Sequence, residues 1–131
     1  MRYLLDTNIC IYFLRQNAKI VYKMASLSAN DLAISCFNLT ELLYGAYNSE
    51  YIDKNLERVR CFENTIEVVQ FDRKAVEIYA VIKSSLKKQG KLIDDFDILI
   101  AAVALSNELI LVTNNVKHFE RIPNLKTENW L

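Results

Sequence analysis

Glycine is almost missing from this 131-residue chain. Its two glycines, Gly45 and Gly90, stand far apart. No glycine-rich phosphate loop can be built from them, so dinucleotide-binding and P-loop chemistries are excluded. Proline occurs once, at Pro123, which with the scarce glycine excludes collagen-like and linker-rich chains. Histidine also occurs once, at His118. A multi-histidine metal centre is therefore impossible, and no nucleophile motif surrounds that imidazole for Ser-His-Asp or Cys-His chemistry. The three cysteines, Cys10, Cys36 and Cys61, are odd in number and form no C-x-x-C pair. They read as buried thiols in a reducing cytoplasm, not as disulfides or a zinc site. Net charge is absent too, with 16 basic against 16 acidic residues. Coating nucleic acid by bulk charge is excluded, while a local basic patch is permitted. The longest apolar run, Ile98–Leu105, falls far short of the ~20 residues that span a bilayer. Asp6 interrupts any signal-peptide core at the start. A soluble, cytoplasmic protein is expected.

What the chain does have is apolar content, 52% of its residues. Its length fits a single domain over residues 1–131, since domains commonly run ~100–150 residues. Short apolar strands are expected at Arg2–Leu5, Asp31–Ser35, Glu67–Gln70 and Leu109–Val112, with a last one near Lys126–Glu128. Helices are expected at Thr7–Arg15, Asn17–Leu27, Asn38–Asn48, Lys54–Glu63, Arg73–Gln89 and Asp94–Asn107. Thr7–Arg15 is apolar nearly all round and should be covered on several sides. Arg73–Gln89 carries Ala75, Ile78, Tyr79, Ile82 and Leu86 on one face, and Gly90 stops it. The segment after Val112 reads as an irregular tail. Alternation of this kind predicts an α/β fold with a parallel sheet of four to five strands covered on both faces.

In such sheets, sites form beyond the carboxyl ends of the strands. Asp6 follows the first strand directly, and Asn115 follows the fourth. Glu41 lies in an otherwise apolar helix. Asp94, Asp95 and Asp97 crowd the start of another, where one cap would suffice. Asp6 can also serve as a helix cap, and Asn115 as a turn residue. Carboxylates forced together raise one another's pKa unless a cation neutralises them. Hard oxygen ligands suit Mg²⁺ or Mn²⁺. The matching chemistry is metal-assisted phosphodiester hydrolysis.

The segment Tyr3-Leu-Leu-Asp-Thr-Asn-Ile-Cys-Ile-Tyr12 resembles the first motif of PIN-domain ribonucleases, and more narrowly of VapC toxins from bacterial type II toxin–antitoxin pairs. Leu39-Thr-Glu-Leu-Leu-Tyr-Gly45 is similar to the second acidic motif, and Asp97-Ile-Leu-Ile-Ala-Ala102 to the third. Leu111-Val-Thr-Asn-Asn115, Phe119-Glu-Arg-Ile-Pro123 and Glu128-Asn-Trp130 resemble the ending of this toxin group. The resemblance implies a three-layer α/β/α sandwich. It implies Asp6 and Asp97 as the principal Mg²⁺ ligands, with Glu41 and Asn115 acting partly through water. Asn115 would fill a fourth position where many relatives carry Asp. Thr7, Asn8 and Thr113 would orient these ligands by hydrogen bonds. Relatives often carry Gly-Pro or Gly-Asn before the third acid, where this chain has Asp94-Asp95-Phe96. That departure leaves open that Asp94 joins the metal site.

The resemblance further implies a Mg²⁺-dependent endoribonuclease, with Mn²⁺ able to substitute, that blocks translation. Its ending looks like the subgroup that cleaves tRNA, notably initiator tRNA. Lys91, Lys117 and Arg121 adjoin the acidic positions and are candidate RNA contacts; His118 reads as a surface residue. Lys83 and Lys87 read equally as a solvated face. Tyr44 and Tyr47 give the helix Asn38–Asn48 a second apolar stripe, suited to an interface. The family implies toxin homodimers and a VapB-type antitoxin that blocks the acidic site. The alternatives are a non-catalytic PIN-fold module binding RNA or protein, and an aspartyl-phosphate phosphotransferase. The latter typically wants an acid where Asn8 stands.

Overall fold

A computed structural model describes residues 1–131. Five strands form one sheet: β1 (Tyr3–Leu5), β2 (Leu32–Ser35), β3 (Glu67–Val69), β4 (Ile110–Val112) and β5 (Thr127–Glu128). Their spatial order is β3-β2-β1-β4-β5, and every pairing is parallel. Parallel strands need crossovers, and helices supply them. On one side lie α1 (Thr7–Leu14), α2 (Ala18–Ala25), α3 (Cys36–Tyr47) and α4 (Ile52–Glu63). On the other lie α5 (Arg73–Lys88), α6 (Asp95–Ser106) and the single turn α7 (Val116–Phe119). The chain first steps outward from β1 through β2 to β3, then returns to β4 on the opposite side of β1. Because such crossovers share one hand, reversing direction moves the later helices to the other face. The result is the three-layer α/β/α sandwich that the resemblance implied, with the parallel sheet covered on both faces as the alternation predicted.

Strand alternation divides the core accordingly. Tyr3, Leu5, Leu32, Ile34 and Val112 pack under α1–α4. Leu4, Ala33 and Leu111 pack under α5 and α6. Helix α6 is buried at Ile98 and from Ile100 through Ala104, because it lies against both the sheet and α5. Its apolar circumference thus has a structural cause. Helix α5 ends in a left-handed glycine, Gly90, at φ 67°. Lys91 N donates to Leu86 O (2.9 Å) and Gly90 N to Lys87 O (3.1 Å), which closes the helix and turns the chain toward α6. No helix is long and apolar enough to cross a membrane.

Four local expectations differ from the structure. Helix α3 starts at Cys36, not Asn38, because Ser35 and Asn38 form a reciprocal capping box. The tail is not wholly irregular: buried Phe119 anchors α7. Helix α1 buries only Ile9 and Cys10, leaving Ile11 through Leu14 partly open. Of the thiols, Cys10 is buried, Cys36 intermediate and Cys61 exposed. Cys61 falls off the Leu56–Val59–Phe62 stripe that turns α4 inward.

The two-sided core makes a direct stability prediction. Leu4 is fully buried in the central strand, whereas Val81 on α5 is 63% exposed. Leu4→Ala should cost about 2–5 kcal/mol in urea denaturation. Val81→Ala should stay within ~0.5 kcal/mol. Equal effects would contradict the placement of Leu4 beneath α5 and α6.

Candidate active site

The sheet reverses its direction of growth between β1 and β4; at such a switch point parallel sheets form a crevice beyond the carboxyl ends of the strands. Asp6 leaves β1 at that point. Its backbone N–H donates to Val112 O of β4 (2.8 Å), so both strand ends are tied together. Its side chain caps α1, with Oδ1 accepting from Thr7 N (2.8 Å). The other oxygen, Oδ2, accepts from Thr113 Oγ1 (2.8 Å), the first residue past β4. Thr113 is fully buried and Asp6 is only 7% exposed. The cap reading and the site reading of Asp6 are therefore compatible, because a carboxylate has an oxygen for each.

Glu41 reaches the same edge from α3. Its Oε1 accepts from Thr7 Oγ1 at 2.6 Å. Thr7 in turn accepts from Asn38 Nδ2 (3.0 Å). Asn38 is fully buried, and its Oδ1 accepts from both Ser35 N (2.8 Å) and Ser35 Oγ (2.7 Å). One line of hydrogen bonds thus runs from the end of β2 to Glu41. Sequence reasoning missed Asn38. The signal was present as Ser35 followed three residues later by a side chain able to return the cap.

Helix α6 brings the third acid. Asp94 is its cap, accepting at Oδ1 from Phe96 N (2.9 Å). Asp95 faces away and binds Lys83 Nζ (2.8 Å) and Tyr79 Oη (3.0 Å), which fastens α6 to α5. Asp97, one turn in, faces the crevice and feels Asp6, Asp94 and Glu41 as like charges. Burial, reinforced by those neighbours, pushes its pKa up to about 6. Burial also raises Asp6, against the donated bonds of Thr113 and Thr7. Glu41 is raised by burial and by Asp6 and Asp94, with Thr7 opposing.

Asn115 sits at the start of α7. Its N–H donates to Thr113 Oγ1 (3.0 Å), and its Nδ2 meets His118 Nδ1 at 2.8 Å. His118 Nδ1 is 3.8 Å from Asp97 Oδ2. The single histidine therefore stands at the site's rim, which the sequence did not signal beyond its i+3 spacing from Asn115. Asn8 is exposed, on the outward side of α1, and takes no part in the hydrogen bonds that hold the acids. Lys91, Lys117 and Arg121 are all exposed. Arg121 Nη1 donates to Lys91 O and Leu92 O (3.3 Å each), which ties the α5–α6 connection to the segment after α7.

No lysine or arginine pairs with Asp6, Glu41, Asp94 or Asp97; the ion pairs are Arg73–Glu77 and Lys83–Asp95, and His118 lies 3.8 Å from Asp97. One buried and two half-buried acids with no lysine or arginine among them fit a hard cation by donor type. No group of three or more His, Cys, Asp or Glu side chains is gathered tightly enough to enclose an ion.

With this geometry in view, the similarities to known proteins are consistent. The PIN domain family model matches residues 3–125. The chain is 39% identical to a Haemophilus influenzae protein named Ribonuclease VapC2, over 131 residues covering 100% of this chain and 99% of that one. It is 37% identical to a Shigella flexneri protein named tRNA(fMet)-specific endonuclease VapC, with 99% and 98% covered. In structure it is similar to a chain in the complex of VapBC2 from Rickettsia felis bound to a promoter DNA fragment. That likeness has a TM-score of 0.91 and 37% identity, with both chains fully covered. The fold and site define a PIN domain. The chain belongs to that family, within its VapC ribonuclease branch.

The crowded acids predict a pH dependence. Unfolded Asp titrates near ~3.9, whereas folded Asp97 titrates at about 6. Between those values the folded chain holds a proton that the unfolded chain has released. Stability of the metal-free protein therefore falls as pH rises through that window. Asp97→Asn should be more stable than the parent above pH ~6, by on the order of 1–2 kcal/mol. The gain should vanish below pH ~4. Urea denaturation in EDTA measures it, and equal stability at pH ~8 would contradict the raised pKa that burial and the neighbouring acids give Asp97.

Proposed function

We propose that this protein is the toxin of a type II toxin–antitoxin pair, a Mg²⁺-dependent, site-specific endoribonuclease acting in the cytoplasm as a single domain over residues 1–131. The observation that carries the reading is the set of acids at the β1–β4 switch point, with Asp6 buried, Glu41 and Asp97 half-buried, and no lysine or arginine paired with any of them. Asp6 and Asp97 are the principal cation ligands. Glu41 and Asn115 act partly through water, and Asp94 adds charge at the rim. Thr7 and Thr113 hold Glu41 and Asp6 in place by donating to their carboxylates. Held by these residues, Mg²⁺ or Mn²⁺ would supply an activated water for attack on phosphorus and charge neutralisation in the transition state. The hydroxyls beside the acids are engaged in positioning, since Thr7 also accepts from Asn38 and Thr113 is fully buried, which favours hydrolysis by water.

The substrate reading is tRNA, with initiator tRNA first among candidates. Its support is full-length similarity to a relative named for tRNA(fMet). Lys91 and Lys117 are free to meet phosphates on either side of the acids. Arg121 does so only with the donors left after it holds the Lys91 and Leu92 carbonyls. The expected partner is a VapB-type antitoxin that covers the acidic crevice, as similar chains are found in VapBC complexes. Tyr44 and Tyr47 are 69% and 58% exposed on α3, and they give a homodimer or that antitoxin an amphipathic surface.

Purified, antitoxin-free protein incubated with total bacterial RNA tests this reading. A few discrete cuts, mapped by sequencing of new 5′ ends, are expected with Mg²⁺. They should vanish with EDTA and fall by at least ~10²–10³-fold in Asp6→Ala. Cuts in tRNA anticodon stem-loops would identify the substrate. Folded protein that cuts nothing would favour a non-catalytic binding module instead.

A further inference from the structure

A carboxamide differs from a carboxylate in one respect that matters beside a cation. Its two ends are not equivalent: one is an oxygen, the other an NH₂ that repels positive charge. Asn115 therefore cannot serve an acidic, cation-seeking site in both of its orientations. Something must select one.

The backbone of Asn115 is already fixed. Its N–H donates to Thr113 Oγ1 (3.0 Å), and its carbonyl accepts from His118 N (3.2 Å). What remains is rotation of the carboxamide itself. Asn115 Nδ2 lies 2.8 Å from His118 Nδ1. If that nitrogen accepts, the imidazole proton sits on Nε2 and the amide NH₂ is bound to the ring. Asn115 Oδ1 is then the free end, and no protein donor takes it. The imidazole is carried on α7, which is anchored by Phe119 at 1% exposure. It also lies 3.8 Å from Asp97, so the pair stands at the acidic crevice and not on a remote surface.

We propose that His118 is a positioning residue for this site: by accepting from Asn115 Nδ2 it orients the carboxamide so that oxygen, not nitrogen, is offered to the cation or its water. The proposal rests on the metal-dependent reading above. It makes a claim that a packing or charge role would not make. The histidine matters because residue 115 is an amide. With a carboxylate there, both ends are oxygens and no orienting partner is needed.

Mn²⁺ binding by the RNA-free protein, followed by the EPR signal of free Mn²⁺, tests this without reference to activity. His118→Ala should weaken Mn²⁺ binding about tenfold, as loss of a partner that orients a metal ligand commonly does. His118→Asn places a side-chain oxygen where Nδ1 stood and should keep affinity within about threefold of the parent. In an Asn115→Asp background, His118→Ala should cost less than about twofold, a coupling read from the double-mutant cycle. An equal loss in both backgrounds would overturn the proposal and leave only packing or electrostatics. So would no loss in the Asn115 background, or failure of His118→Asn to rescue. Asp97→Asn is a separate control on the cation reading. If it leaves Mn²⁺ affinity unchanged, or the parent binds no Mn²⁺, the metal site itself is wrong and the orienting role falls with it.

Discussion

Asp6 is a carboxylate with almost no access to water at the end of the central strand, and no base neutralises it. Burying such a charge is unfavourable unless hydrogen bonds and a counter-charge offset it. The surroundings are organised around that constraint. Thr7 N and Thr113 Oγ1 each donate to one of its oxygens, and those donors come from the start of α1 and the end of β4. The sheet pairing of β1 with β4 brings them within reach. Loosening that pairing would unfasten the carboxylate and the crevice together.

The same logic extends outward. Glu41 and Asp97 arrive from helices on opposite faces of the sheet, and burial and the like charges of Asp6 and Asp94 raise the pKa of both. A site that repels itself stores unfavourable energy in the free protein, which a bound divalent cation would relieve. The fold stabilises this arrangement elsewhere. Helix α6, which carries Asp97, has the most thoroughly buried apolar surface in the molecule. The Lys83–Asp95–Tyr79 cluster ties its first turn to α5. Rigidity at the helix start keeps Asp97 near its like-charged neighbours despite their repulsion.

Much of this was legible before any coordinates. The alternation of short apolar strands and helices led to a covered parallel sheet, strand ends led to Asp6 and Asn115, and the resemblance added Thr113. The three acids before Ile98 were separable in principle, because a helix start needs one cap; Asp94 takes it, while Asp95 turns to Lys83. Asn38 was not legible as a member of the site. Nothing in a single sequence says that a buried capping amide will also reach across to Thr7, 31 residues away in the chain. Cys61 was misjudged for a related reason, since neighbouring apolar residues do not reveal which side of a helix turns inward.

The sequence by itself determined the elements, the two-sided core and which residue types meet at the carboxyl edge. Those properties follow from local periodicity and from the single hand of parallel crossovers, both written in the order of residues. Only the tertiary structure decided how the acids are held and where the imidazole stands. Hydrogen bonds such as Thr113 to Asp6 span 107 positions, and side-chain orientation across such distances is settled by packing. His118 looks like any exposed residue along the chain. Its role emerges only when α7 folds back and sets its ring between Asn115 and Asp97.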